Sequence, residues 1–175
     1  MLELSQARRL CCRLNARSSR AHLSLKIDAL GDTQSNRKGI LLINRSINSF
    51  YSSPSNEIKA AGLQRRSISN FSDVEMALRR NFTDVNSAVL EHSPLVEQIY
   101  LFVSSDIIGA QHGAALTNIV WSKPNTLVVE IAPTGYRTTC FPPLSRHLGL
   151  IHRLVRQNGI HSDCDISDLI SKVAL

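Results

Sequence analysis

Three short stretches of this chain run apolar with almost no polar interruption: Ile40-Leu41-Leu42-Ile43, Ile107-Ile108-Gly109-Ala110, and Leu127-Val128-Val129 with Ile131 beyond an acid. A strand with one face in water alternates apolar and polar residues. A strand covered on both faces reads as a continuous apolar run. Such strands occur in parallel sheets, and parallel neighbours must be joined by crossover segments long enough for a helix. Strands are therefore expected at 40–43, Asp106–Ala110 and Leu127–Ile131, with weaker ones at Val85–Leu90 and Leu150–Val155.

The segments between them carry the helical period. Phe71–Arg80 reads as a helix, with Ser72 as N-cap and Glu75 completing a capping box. A second helix opens at Ser93-Pro94, with proline at its first position, and runs through Leu95, Val96, Ile99, Phe102 and Val103. Short helices are expected at Gly113–Val120 and, around Pro142-Pro143, within Tyr136–Leu148. A closing helix spans Ile166–Val173, capped by Asp165 or Ser167. Strand and helix alternate throughout, which predicts an α/β fold, a Rossmann-like parallel sheet with helices on both faces. This domain is expected over 37–175. Residues 1–36, rich in Arg and Ser and with helical spacing, form a separate N-terminal helical segment of uncertain docking.

With 175 residues, 43% hydrophobic and 19% charged, the chain has room for one domain with a real core and is not of disordered composition. Aromatic residues make up only 5%, too few for the stacking platforms of single-stranded nucleic-acid binders, and no nucleic-acid partner is expected. A net charge of +6 favours anionic ligands. No apolar run reaches the ~18 residues of a membrane-spanning helix. Leu10 to Leu14 is too short and polar for a signal-peptide core. Cys140 and Cys164 could pair or stay as free thiols, and no Cys-x-x-Cys motif occurs. Asn-x-Ser/Thr sequons stand at Asn44, Asn70 and Asn81, and the one at Asn44 falls at a strand end where a glycan fits badly.

The chemistry concentrates after the second apolar run. His112 follows a strand and precedes a helix, and Gly113, Ala114 and Ala115 are small enough for backbone N–H groups to approach an anion. His112 can bond a phosphate or a leaving group, or close the turn on a backbone carbonyl. Glu130, at the end of the next strand, is either solvated or placed to accept from a ribose diol. Arg45 ends the first strand, so a parallel sheet brings it to the same edge, where its planar fork suits a diphosphate. Arg65, Arg66 and Asn70 are secondary candidates. The segment is not Gly-x-Gly-x-x-Gly, which disfavours a dehydrogenase, and neither a P-loop nor a Gly-x-Ser-x-Gly elbow is present. No His-x-x-x-His pair occurs, and no metal is expected.

These elements in this order are more specific than any one of them. Arg37-Lys38-Gly39-Ile40-Leu41-Leu42-Ile43-Asn44-Arg45, Arg65-Arg66-Ser67-Ile68-Ser69-Asn70, Glu97-Gln98, Gly109-Ala110-Gln111-His112-Gly113-Ala114-Ala115-Leu116-Thr117-Asn118 and Val128-Val129-Glu130-Ile131-Ala132-Pro133 together resemble glycosyltransferase family 61. The resemblance covers roughly residues 37–135. That family includes plant xylosyl- and arabinosyltransferases and animal O-linked N-acetylglucosamine transferases.

The resemblance implies the C-terminal, donor-binding half of a GT-B enzyme that transfers a sugar from a UDP-sugar to a glycan or glycoprotein acceptor with inversion. It implies Arg45 on the diphosphate, and His112 with the backbone of Gly113 and Ala114 on the leaving-group side. Glu130 would lie near the ribose, with Thr117 and Asn118 on the donor or at the helix start. No cofactor or metal is implied, because such enzymes meet the leaving charge with basic side chains and a helix N-terminus. The acceptor domain, which normally supplies the general base, has no room in 1–36, so the base is unassigned and the chain is expected to be a piece or a stand-alone half. A Golgi or ER lumen is the implied compartment. Ala115 departs from the family, which often has glycine there. The alternative is a nucleotide-sugar-binding or interaction module without catalysis.

Overall fold

The computed structural model describes residues 39–45, 67–135, 139–158 and 161–174. The N-terminal helical segment 1–36, Arg65, Arg66, Cys11 and Cys12 lie outside the described residues. The expected alternation is present. In chain order the elements are β1 Ile40–Asn44, β2 Ser67–Ile68, α1 Phe71–Asn81, β3 Val85–Val89, a 3₁₀ turn Leu90–His92, and α2 Leu95–Ser104. There follow β4 Ile107–Gln111, a 3₁₀ helix Ala114–Trp121, β5 Leu127–Pro133, α3 Phe141–Leu148, β6 Ile151–Gln157, β7 His161–Ser162 and α4 Ile166–Val173.

Five strands form one sheet in the order β3-β1-β4-β5-β6, and every neighbouring pair is parallel. β2 and β7 make a separate two-stranded parallel sheet that the apolar pattern did not announce. All residues of β4 and β5, and the first four of β1, are buried, as continuous apolar strands require. By chain position the five strands stand 2-1-3-4-5. The chain leaves β1 in one direction to make β3, then returns past β1 to make β4, β5 and β6.

Right-handed crossovers dictate where the helices go. A connection running one way along the sheet lays its helix on one face, and a connection running the other way uses the opposite face. Accordingly α1, on the way to β3, shares a core with α4: Val74, Leu78, Leu169 and Val173 pack with Ile40, Leu42, Val129 and Ile131. On the other face α2, the 3₁₀ helix and α3 contribute Phe102, Leu116, Ile119, Phe141 and Leu148, packed with Leu41, Ile43, Ile108 and Val128.

Several local expectations need correction. α1 starts at Phe71 behind Asn70, and no side chain caps it. Glu75 does not close a capping box on Ser72. It accepts from Arg79 at 2.7 Å, one turn along, and that guanidinium holds its carboxyl below the usual range. Asn70 cannot cap because both ends of its amide are used by Cys164, donating to its carbonyl at 3.1 Å and accepting from its N–H at 2.9 Å. Pro94 is the residue before α2 rather than its first. The segment after His112 is a 3₁₀ helix. The Asp165 cap is present, accepting from the Asp168 N–H at 3.0 Å, and α3 stops at Gly149, whose φ of 70° suits a residue without Cβ.

Cys164 is a buried free thiol and Cys140 is exposed, so the Cys140–Cys164 disulfide is absent. Burial, aided by Asp165 and Asp168, pushes the Cys164 thiol up to about 12. Of the sequons, Asn44 accepts from the Arg45 N–H and Asn70 is bound as described, whereas Asn81 is exposed at the end of α1.

Phe102 is wholly buried at the centre of one face of the sheet. Phe102→Ala is expected to lower unfolding free energy by about 3–5 kcal/mol, read from the urea midpoint.

Candidate functional site

In open parallel sheets ligands bind beyond the carboxyl ends of the strands, at the point where the strand order reverses. Here that point lies between β1 and β4, which pair from Ile40↔Ile107 to Ile43↔Ala110. α1, on the way from β1, and the 3₁₀ helix after β4 pack on opposite faces of the sheet, the arrangement that opens a crevice in such folds. Arg45 is the first residue after β1, and His112 and Gly113 are the first two after β4. The topology therefore brings Arg45 to two neighbouring residues more than sixty positions further along the chain.

The contact is close. The Arg45 guanidinium lies directly over the Gly113 α-carbon: a methyl there would collide with Nη2 and stand 3.3 Å from Cζ and 3.8 Å from Nε. The φ of Gly113 is 167°, extended backbone open to any residue, so glycine is required for room and not for conformation. A side chain at 113 would displace the guanidinium from the crevice.

His112 is buried and firmly held. Its N–H continues the β4–β5 ladder by donating to the Ile131 carbonyl at 2.8 Å. Its ring meets Phe141 of α3 edge-on, with centroids 5.2 Å apart at 66°. Its Nδ1 bonds Oε1 of Glu130. Glu130 is not at a strand end. β5 continues for three more residues, and the carboxylate is completely buried, opposite Ala110. Its second oxygen, Oε2, takes Nε2 of His152 at 3.0 Å.

An isolated carboxylate at that depth would be strongly disfavoured, and two imidazole N–H donors offset the lost hydration. A ribose diol cannot reach an oxygen with no exposed surface, so the expected direct contact of Glu130 with a sugar is replaced by contact with two histidines. His152 was absent from the candidates. It stands on β6 opposite Val128, diagonal to Glu130 on the same face. A histidine one strand over from a buried acid is the relevant signal, and it can be read only once the register is known.

The other candidates divide. Ala114 is exposed next to Gly113, and Thr117 is exposed with its hydroxyl donating to the Ala114 carbonyl at 2.6 Å. Asn118 is a brace: its amide donates to Gln98 Oε1 at 3.1 Å, while Gln98 Nε2 donates to the Leu90 and Ser93 carbonyls. Ala115 packs against the apolar core, so its methyl does not narrow the crevice. Asn70 serves Cys164. The acids at Asp163 and Asp165 are likewise structural, one accepting from the Ser69 hydroxyl at 2.7 Å and the other capping α4. A cavity of about 330 Å³ opens at the opposite, amino edge of the sheet, lined by Asp106, Thr126 and Arg153 among others. Neither Arg45 nor His112 reaches it, and the fold's ligand edge lies at the other end of the strands.

A model of the family described as Glycosyltransferase 61 matches residues 2–129. The match crosses residue 36 without a break and stops one residue before Glu130. No curated protein matches the chain.

Gly113→Ala is expected to leave stability within about 1 kcal/mol of wild type, because only the flexible tip of Arg45 must move. Glu130→Ala, which strips both buried imidazoles of their acceptor, is expected to cost about 3–5 kcal/mol. Chemical denaturation of the two variants separates them.

Proposed function

Since the chain belongs to glycosyltransferase family 61, we propose that residues 37–175 are the donor-binding half of a GT-B enzyme using a UDP-sugar. Members of the family are glycosyltransferases with donor and acceptor substrates, typically enzymes of the secretory pathway. The observation that carries the donor-side reading is the guanidinium of Arg45 held over Gly113 at the reversal point of the sheet, beside a buried histidine.

In the proposed reaction a hydroxyl oxygen of a glycan or glycoprotein acceptor attacks the anomeric carbon of the donor from the face opposite the diphosphate. A general base removes the hydroxyl proton, the bond from the anomeric carbon to the diphosphate oxygen breaks, and UDP departs with that electron pair. The configuration inverts because attack and departure occur on opposite faces. The charge that grows on the diphosphate is met by the forked donors of Arg45 and by backbone N–H groups at Gly113 and Ala114. His112, clamped by Glu130, contributes a further hydrogen bond to the leaving group. This arrangement needs no metal or cofactor.

Glu130 acts through His112 and not on the ribose. Thr117 lies along the rim with Ala114, and Asn118 supports the loop. The general base is assigned to an acceptor-binding domain outside residues 37–175. No helix among the described residues is long and apolar enough to cross a membrane. The proposed site of action is the Golgi or ER lumen.

Titration calorimetry with UDP tests the donor site. Wild type is expected to bind, and Arg45→Ala and His112→Ala are expected to weaken binding roughly 10- to 100-fold, the range for losing a charge-assisted hydrogen bond. A folded wild type that ignores UDP, or equal binding by all three proteins, would defeat the assignment. Binding without transfer when an acceptor-binding half is added would favour a non-catalytic module.

A further inference from the structure

Glu130 meets two imidazoles, and the donor-site reading employs only His112. His152 has no part in it, although it is equally committed to the carboxylate. Its side chain is 11% exposed, that of His112 8% and that of Glu130 0%, so the three groups form a nearly closed unit. Facing the carboxylate are His112 from the end of β4 and His152 from β6. α3 contributes the uncharged Phe141 against the His112 ring, and Arg45 lies beyond Gly113 at the end of β1.

An ionised carboxylate only accepts hydrogen bonds. Both ring nitrogens facing Glu130, Nδ1 of His112 and Nε2 of His152, must then carry hydrogens. A protonated Glu130 would reverse this at one ring. Its hydroxyl would donate to Nε2 of His152 or to Nδ1 of His112, and with His152 absent only the second acceptor remains, so that the His112 ring hydrogen would have to sit on Nε2. The charge state of Glu130 together with the presence of His152 therefore selects the tautomer of His112. With no exposed surface, the carboxylate depends for its charge on the N–H donors supplied to it.

We propose that His152 is a positioning residue for His112: by donating Nε2–H to Oε2 it keeps Glu130 ionised, and the ionised Glu130 fixes His112 as the Nδ1–H form. The consequence for catalysis, that Nε2 of His112 is the nitrogen that deals with the leaving diphosphate, rests on the donor-site reading. The tautomer itself does not. His152 thus touches neither substrate nor reacting atoms and acts across two strands through one carboxylate.

The test reads ring protonation directly, by long-range proton–nitrogen NMR of the uniformly labelled full chain across about pH 5 to 9. The His112 signals are assigned by their loss in His112→Gln. In wild type, Nδ1 of His112 is expected to carry a hydrogen throughout. In His152→Phe the ratio of Nδ1–H to Nε2–H forms is expected to fall at least about tenfold, the scale set by one lost buried hydrogen bond.

His152→Gln, whose amide N–H occupies nearly the position of Nε2 without a titrating charge, is expected to restore the wild-type ratio. It also provides the answer if His152→Phe does not fold. A wild type in the Nε2–H form, a folded His152→Phe with the wild-type ratio, or a His152→Gln that loses the Nδ1–H form would each overturn the proposal. Since UDP is absent from the measurement, failure to bind UDP with the tautomer intact would count against the donor site alone.

Discussion

The reversal of strand order between β1 and β4 is the constraint on which the rest depends. Both strands are buried on two faces, so their connections must leave as crossovers, and the right-handed rule sends those crossovers to opposite faces. The crevice is the space those divergent connections leave. Arg45, His112 and Gly113 occupy it because each is the first or second residue after a strand. A shift of the β1–β4 register would part Arg45, at the end of one strand, from His112 and Gly113, at the end of the other.

Much of this was legible in the sequence, and for physical reasons. Ile40–Ile43 and Leu127–Val129 lack alternation, which only double-sided burial tolerates, and that pointed at once to parallel strands and to a common carboxyl edge for Arg45 and His112. What was not legible depended on partners distant in the chain. Glu130 looked like a strand terminus because an acid interrupts an apolar run. It lies inside β5 because His112 and His152 offset its burial, and neither is within fifteen residues of it. Asn70 reads from the sequence as a secondary site candidate, yet its whole amide is taken by Cys164, ninety-four residues along the chain. Local pattern reveals periods and turns. It does not reveal which polar groups meet across the sheet.

The 3₁₀ geometry after His112 changes the electrostatic account of the site. A 3₁₀ helix has poorer hydrogen-bond geometry than an α-helix and is normally short, so the aligned dipole at Ala114 contributes less than an α-helix would. Charge complementarity to an anion then falls more heavily on the side chain of Arg45 and on individual N–H groups at Gly113 and Ala114. This is a reason for the guanidinium to rest against the backbone itself. The family match implies a donor substrate in general, and for the anionic donor proposed above Arg45 is the group that would carry the attraction.

Gly113 and Glu130 then stand as two different ways of placing a functional group at one edge of the sheet. Gly113 holds Arg45 by absence: with no side chain there, the Nη2 end of the guanidinium comes close to the backbone. Glu130 holds His112 by presence, with a carboxyl group placed where solvent cannot reach and a second histidine on its other oxygen. The first costs little in stability, since the displaced atoms of a larger residue would meet only a flexible side-chain tip. The second is expensive to break, since two imidazoles and a carboxylate lose their partners together. Sequence change at the two positions should therefore be limited by different things, at Gly113 by the anion-facing geometry and at Glu130 by the integrity of the fold around it.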